Sequence, residues 1–175
     1  MAHKQHKKQQ TKVEKRPIDL LFEQYALYHQ QGTNQFIHWF VVPLMTFSIS
    51  GIIWSIPFPH LNFLGQYNGF INWFTLFMAV VVYYYLRLAP TLSYVMLLTF
   101  GLFSYLIVHL EYWEQAGGPT LWSVCLILLI ISCIGQFIGY KTEQKKPSFS
   151  IGLQFLLTGP IWLWHVIFKK LKFPY

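Results

Sequence analysis

Apolar residues fill five long stretches of this chain, and polar or charged residues collect in the short segments between them. The first four stretches lie at about 36–56, 70–86, 92–110 and 120–139, each close to the roughly 20 residues that cross about 30 Å of hydrocarbon as a helix. Turn residues separate them: Pro57 and Pro59, Leu88-Ala89-Pro90-Thr91, and Ala116-Gly117-Gly118-Pro119. Pro43 and Gly51 sit inside the first stretch, where neighbouring helices can satisfy the carbonyl that proline frees. The triplet Tyr83–Tyr85 suits an aromatic belt at a membrane interface. A fifth run, Ile151–Phe168, is interrupted by Gly159-Pro160. The pattern predicts an all-α, multi-span integral membrane helix bundle, with about four transmembrane helices plus a C-terminal re-entrant or fifth helix.

Composition agrees with that pattern. Of 175 residues, 54% are hydrophobic, 19% aromatic and only 11% charged, too little charge to cover a water-soluble surface. The net charge of +7 falls in tails and short loops beside apolar runs, which marks topology and not a nucleic-acid partner. Residues 1–18 read as a disordered basic cytosolic tail and 19–175 as a single membrane domain. His3 and His6 in the tail are read as solvated, and no apolar region with a small-residue cleavage site follows as in a cleavable signal. Beyond the tail, Asp19 is expected to cap a short helix near the membrane surface, with Leu20, Leu21, Tyr25 and Tyr28 on its apolar side.

Charge also bears on the last run. With the tail in the cytosol and four spans, Arg87, Lys141, Lys145 and Lys146 share its side, while the connections at 57–69 and 111–119 carry no Lys or Arg. A fifth crossing would strand Lys169, Lys170 and Lys172 outside, so a hairpin broken at Gly159-Pro160, or a helix lying flat, is preferred and a full crossing is the alternative. Cys125 and Cys133 are eight residues apart on one helix, about 12 Å, too far for a disulfide.

Two polar clusters stand where apolar runs meet water. Tyr28-His29-Gln30-Gln31-Gly32-Thr33-Asn34-Gln35-Phe36-Ile37-His38 leads into the first span, with Asn34 and His38 one helical turn apart and His29 on the polar side of the helix start. Gln136, Tyr140 and Glu143 share one face at the end of the fourth span. The two clusters are expected to meet at one membrane surface. His60 and His109 belong to the other side, and His165 approaches the site side only if the last run turns back. Two imidazoles and a carboxylate are the ligand set that leaves positions open on non-haem Fe(II). Asn34 or Gln136 can orient an imidazole from behind. The same residues also suit contact with lipid head groups.

At these residues the chain resembles the Mpo1-like family, in the form seen in bacterial members. The resemblance rests on Tyr28-His29 with Asn34, His38 and Pro43, on Leu88-Ala89-Pro90-Thr91, on Gly135–Glu143 with Lys145-Lys146-Pro147, and on Leu153–Leu157 with Gly159-Pro160. It implies a multi-pass protein, here of the bacterial inner membrane with a cytoplasmic N-terminus. It also implies an Fe(II)-dependent dioxygenase that shortens a 2-hydroxy fatty acid by one carbon in α-oxidation, releasing CO2. Membrane lipid, O2 and that acid are then the partners. His29, His38 and Glu143 become iron candidates, Tyr140 a fourth, and Asn34 a catalytic candidate. The chain departs from the family's pattern at Tyr140, where the family has His, at Gln30, where some members have a second His, and at Gly152, where bacterial relatives often have Asp. An activity-impaired or non-catalytic protein that binds lipid head groups is the alternative.

Overall fold

The computed structural model describes residues 15–143 and 147–175, without the side chains at 66, 69 and 149. The tail expectations for His3 and His6, and Lys145 and Lys146, lie outside the described residues.

Among the described residues the chain forms six α-helices, one short 3-10 segment and no strand: α1 (Pro17–Leu27), α2 (Gly32–Trp54), the 3-10 segment Asn62–Phe70, α3 (Trp73–Leu88), α4 (Pro90–Gln115), α5 (Leu121–Glu143) and α6 (Phe149–Leu171). Helices α2, α4, α5 and α6 are long and apolar enough to cross a membrane, whereas α3 has 16 residues, about 24 Å of rise. This is the helical membrane bundle expected from the hydrophobic pattern.

Several boundaries have local causes. Helix α3 starts later than the apolar run suggests because Asn72 caps it: its side chain accepts from the Thr75 N–H at 3.0 Å, and Thr75 Oγ1 accepts from the Asn72 N–H at 3.0 Å. Helix α4 opens on Pro90, whose missing N–H is not needed in a first turn. The turn before α5 places Gly117 at φ 95°, a region that favours glycine.

Helix α1 corrects two expectations. Asp19 makes no capping bond and instead holds the Arg16 guanidinium through two bonds of 2.9 Å. Its buried side is Ile18, Phe22 and Tyr25, spaced i, i+4, i+7, while Leu20 points outward at 53% exposure.

Helices α2 and α5 form the tightest pair. Glycine permits the approach: a Cβ on Gly135 would run into the Val41 side chain. The ends of the bundle differ in charge. Where α2 and α4 finish and α3 and α5 start, Glu111 accepts from the Trp54 indole at 2.9 Å and Glu114 from the Leu121 N–H at 2.8 Å, with no described Lys or Arg nearby in sequence. Lys15, Arg16, Arg87, Lys141, Lys169, Lys170 and Lys172 all belong to the helix ends and segments of the opposite end.

Helix α6 takes one of the two preferred courses and not the other. It is continuous through Gly159-Pro160, so the hairpin does not form there. Its contacts stay in the half of the bundle where α2 begins, as for a helix lying along that half and not for a full crossing. The Tyr85 hydroxyl donates to Leu157 O at 2.6 Å, the Trp164 indole donates to Thr99 Oγ1 at 3.1 Å, and Lys170 lies 6.0 Å from the Trp39 ring centre. Phe155 packs on Tyr25, and Arg16 donates to Tyr175 O at 2.6 Å, so α1 runs beside α6 over much of its length.

Candidate functional site

Tyr25 is the centre of the site. Buried at 1% exposure, it touches both imidazoles. Its carbonyl, near the end of α1, accepts from His29 Nδ1–H at 2.7 Å, and its ring stacks on His29 at 4.1 Å. Its hydroxyl shares a 3.1 Å hydrogen bond with His38 Nδ1. The two imidazoles meet edge to face, centroids 4.1 Å apart, and both are buried. His29 was expected on the polar side of the helix start. The link between α1 and α2 folds it inward instead, under Phe155 and Trp162 of α6.

The carbonyl bond fixes the His29 tautomer: the proton is on Nδ1, and Nε2 carries a lone pair. His29 Nε2 and His38 Nε2 are both buried without a hydrogen-bond partner. Burial holds His29 below its ordinary pKa, against the opposing effects of the Tyr25 carbonyl and the Glu143 charge, so it stays neutral. Burial also raises the Tyr25 phenol, which keeps its proton.

Asn34 and Glu143 close the side of the site that faces α5. Asn34 Nδ2 donates to Tyr28 O and to Glu143 Oε2, each at 3.1 Å. With both amide hydrogens so engaged, Oδ1 faces Gly139 and has no partner. A Cβ at Gly139 would collide with that oxygen and lie 3.6 Å from His38 Nε2. Glu143 also accepts from the N–H groups of Gln30 at 2.7 Å and Gln31 at 3.0 Å. These two amides precede α2 and have no carbonyl of that helix to bond, so the carboxylate of α5 satisfies its open N-terminus.

The clusters at the start of α2 and the end of α5 therefore do come together. His29 meets His38 ring to ring, Asn34 bonds Glu143, and Tyr140 lies 6.4 Å from His38 between ring centres. Gln136 donates to the Tyr140 hydroxyl at 2.7 Å, leaving its own Oε1 buried and unpartnered. His165 lies against Phe22 and Tyr175 in the α1–α6 contact. His60 bonds Asn62, and His109 packs on Tyr105 at the far end of the bundle.

Sequence reasoning missed Tyr25 as a functional residue, although its position four before His29 on a helix was a usable signal. It also missed the amides of Gln30 and Gln31, which act through backbone and leave no mark in residue type. For a divalent metal, two buried imidazole Nε2 atoms without hydrogen-bond partners, one of them carrying a lone pair fixed by the backbone carbonyl behind it, are a fitting start. Glu143, as arranged, spends both oxygens on three N–H donors. Among the described residues no group of three or more His, Cys, Asp or Glu side chains is gathered to hold an ion.

Fold and site together define a helical membrane protein with a buried pair of histidines near one end of its bundle. Residues 16–171 match the family model described as "2-hydroxy-palmitic acid dioxygenase Mpo1-like", and the chain belongs to that family. No curated protein and no solved structure matches it.

Proposed function

We propose that this chain is a membrane-embedded, Fe(II)-dependent dioxygenase-like enzyme acting in α-oxidation, which shortens 2-hydroxy fatty acids by one carbon and releases CO2. One observation carries the reading: two buried imidazoles in ring contact each leave Nε2 without a partner, in a chain whose family is described by that activity. His29 and His38 would hold the iron. Glu143 or Tyr140 would complete the set only by giving up present hydrogen bonds. Bound Fe(II) supplies the electrons through which O2 becomes reactive toward an organic acid.

The remaining work belongs to the protein. The Tyr25 carbonyl holds the His29 proton on Nδ1 and so keeps Nε2 aimed away from α1. The Tyr25 hydroxyl orients His38. Asn34 ties both histidine segments to α5, and Phe155 and Trp162 keep water from the pair. In this reading membrane lipid surrounds the bundle, and O2 and the acid reach the site from it. The N-terminus faces the cytoplasm of a bacterial inner membrane in this reading; the gathering of every described Lys and Arg at the site's end of the bundle supports the orientation.

A second reading has its own support. With Tyr140 bonded to Gln136 and the Glu143 carboxylate fully engaged, the cluster suits a non-catalytic or impaired protein that grips a lipid head group. Protein purified without oxygen and loaded with Fe(II) separates the two. The enzyme reading expects about one iron per chain, lost in His38→Ala, and O2-dependent conversion of 2-hydroxypalmitate to the acid one carbon shorter. Tyr140→His is expected to raise iron affinity. Absence of both iron and product, in the wild type and in Tyr140→His, would leave the lipid-binding reading.

A further inference from the structure

Beside the histidine pair is a cavity of about 640 Å³, within the range usual for small-molecule sites. Helix α2 lines it from Val42 to Ser50, about 12 Å of rise, and α1, α3, α4, α5 and α6 supply the other walls. The walls are more apolar than their residue types suggest. Thr46 Oγ1 donates to Val42 O and Ser50 Oγ to Thr46 O, each at 2.8 Å, and the Tyr85 hydroxyl is engaged with Leu157 O. Their polar atoms are turned into the backbone. Among the buried side-chain atoms of the described wall, Gln136 Oε1 alone is left without a partner. Gln136 lines the cavity together with Tyr25 and Tyr140, the two residues that also neighbour His38.

We propose that this cavity holds the acyl chain of a free 2-hydroxy fatty acid, with the 2-hydroxyl donating to Gln136 Oε1 and the carboxyl end directed past Tyr140 toward the histidines. The inference rests on the enzyme reading above and adds the place and the recognition of the substrate. A buried acceptor with no donor carries a desolvation cost, and a hydroxyl at that point removes it. An acid without the hydroxyl leaves Oε1 unpaired, so Gln136 is the residue that selects the hydroxylated acid. Gln136 can play this part because the Tyr140 hydroxyl takes its Nε2–H and leaves Oε1 as the unpartnered acceptor of a carboxamide in the cavity wall, reached by a turn of the side chain. Exposed Leu153 and Leu156 of α6 form the outer rim, so the chain enters from lipid and need not cross water. Gly152 stands on the same rim, with nothing within 4 Å of where its Cβ would be. The rim therefore has room at this position for a side chain expected to obstruct the cavity.

Displacement of a bound fluorescent fatty acid from the full chain in detergent, with EDTA present, tests this without iron or turnover. The wild type is expected to bind 2-hydroxypalmitate about fivefold more tightly than palmitate, one neutral hydrogen bond's worth. Gln136→Leu should bind both acids equally. Gly152→Trp, and the smaller Gly152→Leu, should weaken both acids about tenfold or more while unfolding at the wild-type temperature. Wild-type affinity in both Gly152 variants overturns the cavity as the site, and a hydroxyl preference that survives Gln136→Leu overturns the recognition. Because no metal is present, either failure is separate from failure of the iron reading, which is decided by metal content and product.

Discussion

Tyr25 and Glu143 do their work through different chemistry. Tyr25 uses its carbonyl, its ring and its hydroxyl on two histidines, and buried polar groups of this kind are costly to leave unmatched. Glu143 sits near the surface, where an ion pair would contribute little, but its partners are three fixed N–H groups and not a mobile cation. Glu143→Gln keeps the shape and replaces one acceptor by a donor aimed at donors. It is expected to cost about 1–2 kcal/mol, read as a lower thermal unfolding midpoint in detergent. At this scale the sequence disclosed residue types and spacing: His29, Asn34, His38, Gln136, Tyr140 and Glu143 were all visible as polar groups at the ends of apolar runs. It did not disclose that His29 turns inward, because that depends on α6 covering the link between α1 and α2, and α6 is over a hundred residues away.

Among the elements, the α2–α5 pair holds the site together. The separation of the two helices is set by what α5 lacks at Gly139, since any Cβ there would press on Asn34 Oδ1. Gly139→Leu should force the helices apart, break the Asn34–Glu143 bond and lower stability by about 1–3 kcal/mol. Gly152→Ala on α6, where the added methyl meets open space, should instead be neutral or stabilising by up to about 1 kcal/mol. Thermal unfolding of the two variants in parallel distinguishes close packing from a general effect of losing glycine. Hydrophobic runs predicted the helices well, because a segment in lipid must bond its backbone internally. Only the break expected at Gly159-Pro160 is absent: Gly-Pro ends helices in water, but within an apolar packed environment a helix carries Pro160 through.

Across the whole molecule, the division of charge and the course of α6 decide the topology. Both ends of α6 make contacts near the site, Phe155 with Tyr25 and Lys170 with Trp39, so this long helix lies against one half of the bundle. Single cysteines placed at Gln30, Lys141 and Lys172 are expected to react with a membrane-impermeant reagent from one side of sealed vesicles, and cysteines at His60 and Gly117 from the other. Labelling of residue 172 together with 60 would mean that α6 crosses the bilayer, and would remove the charge argument for orientation.

The amino-acid sequence alone determined that this protein is a bundle of apolar helices, because only helices satisfy their own backbone where water is absent, and it marked which polar residues stand at the helix ends. Only the tertiary structure decided that α6 runs unbroken beside α1, that Tyr25 links the two imidazoles, and that Glu143 closes the start of α2. These are contacts between residues far apart in the chain, set by the packing of one helix on another, and periodicity within a single helix holds no record of them.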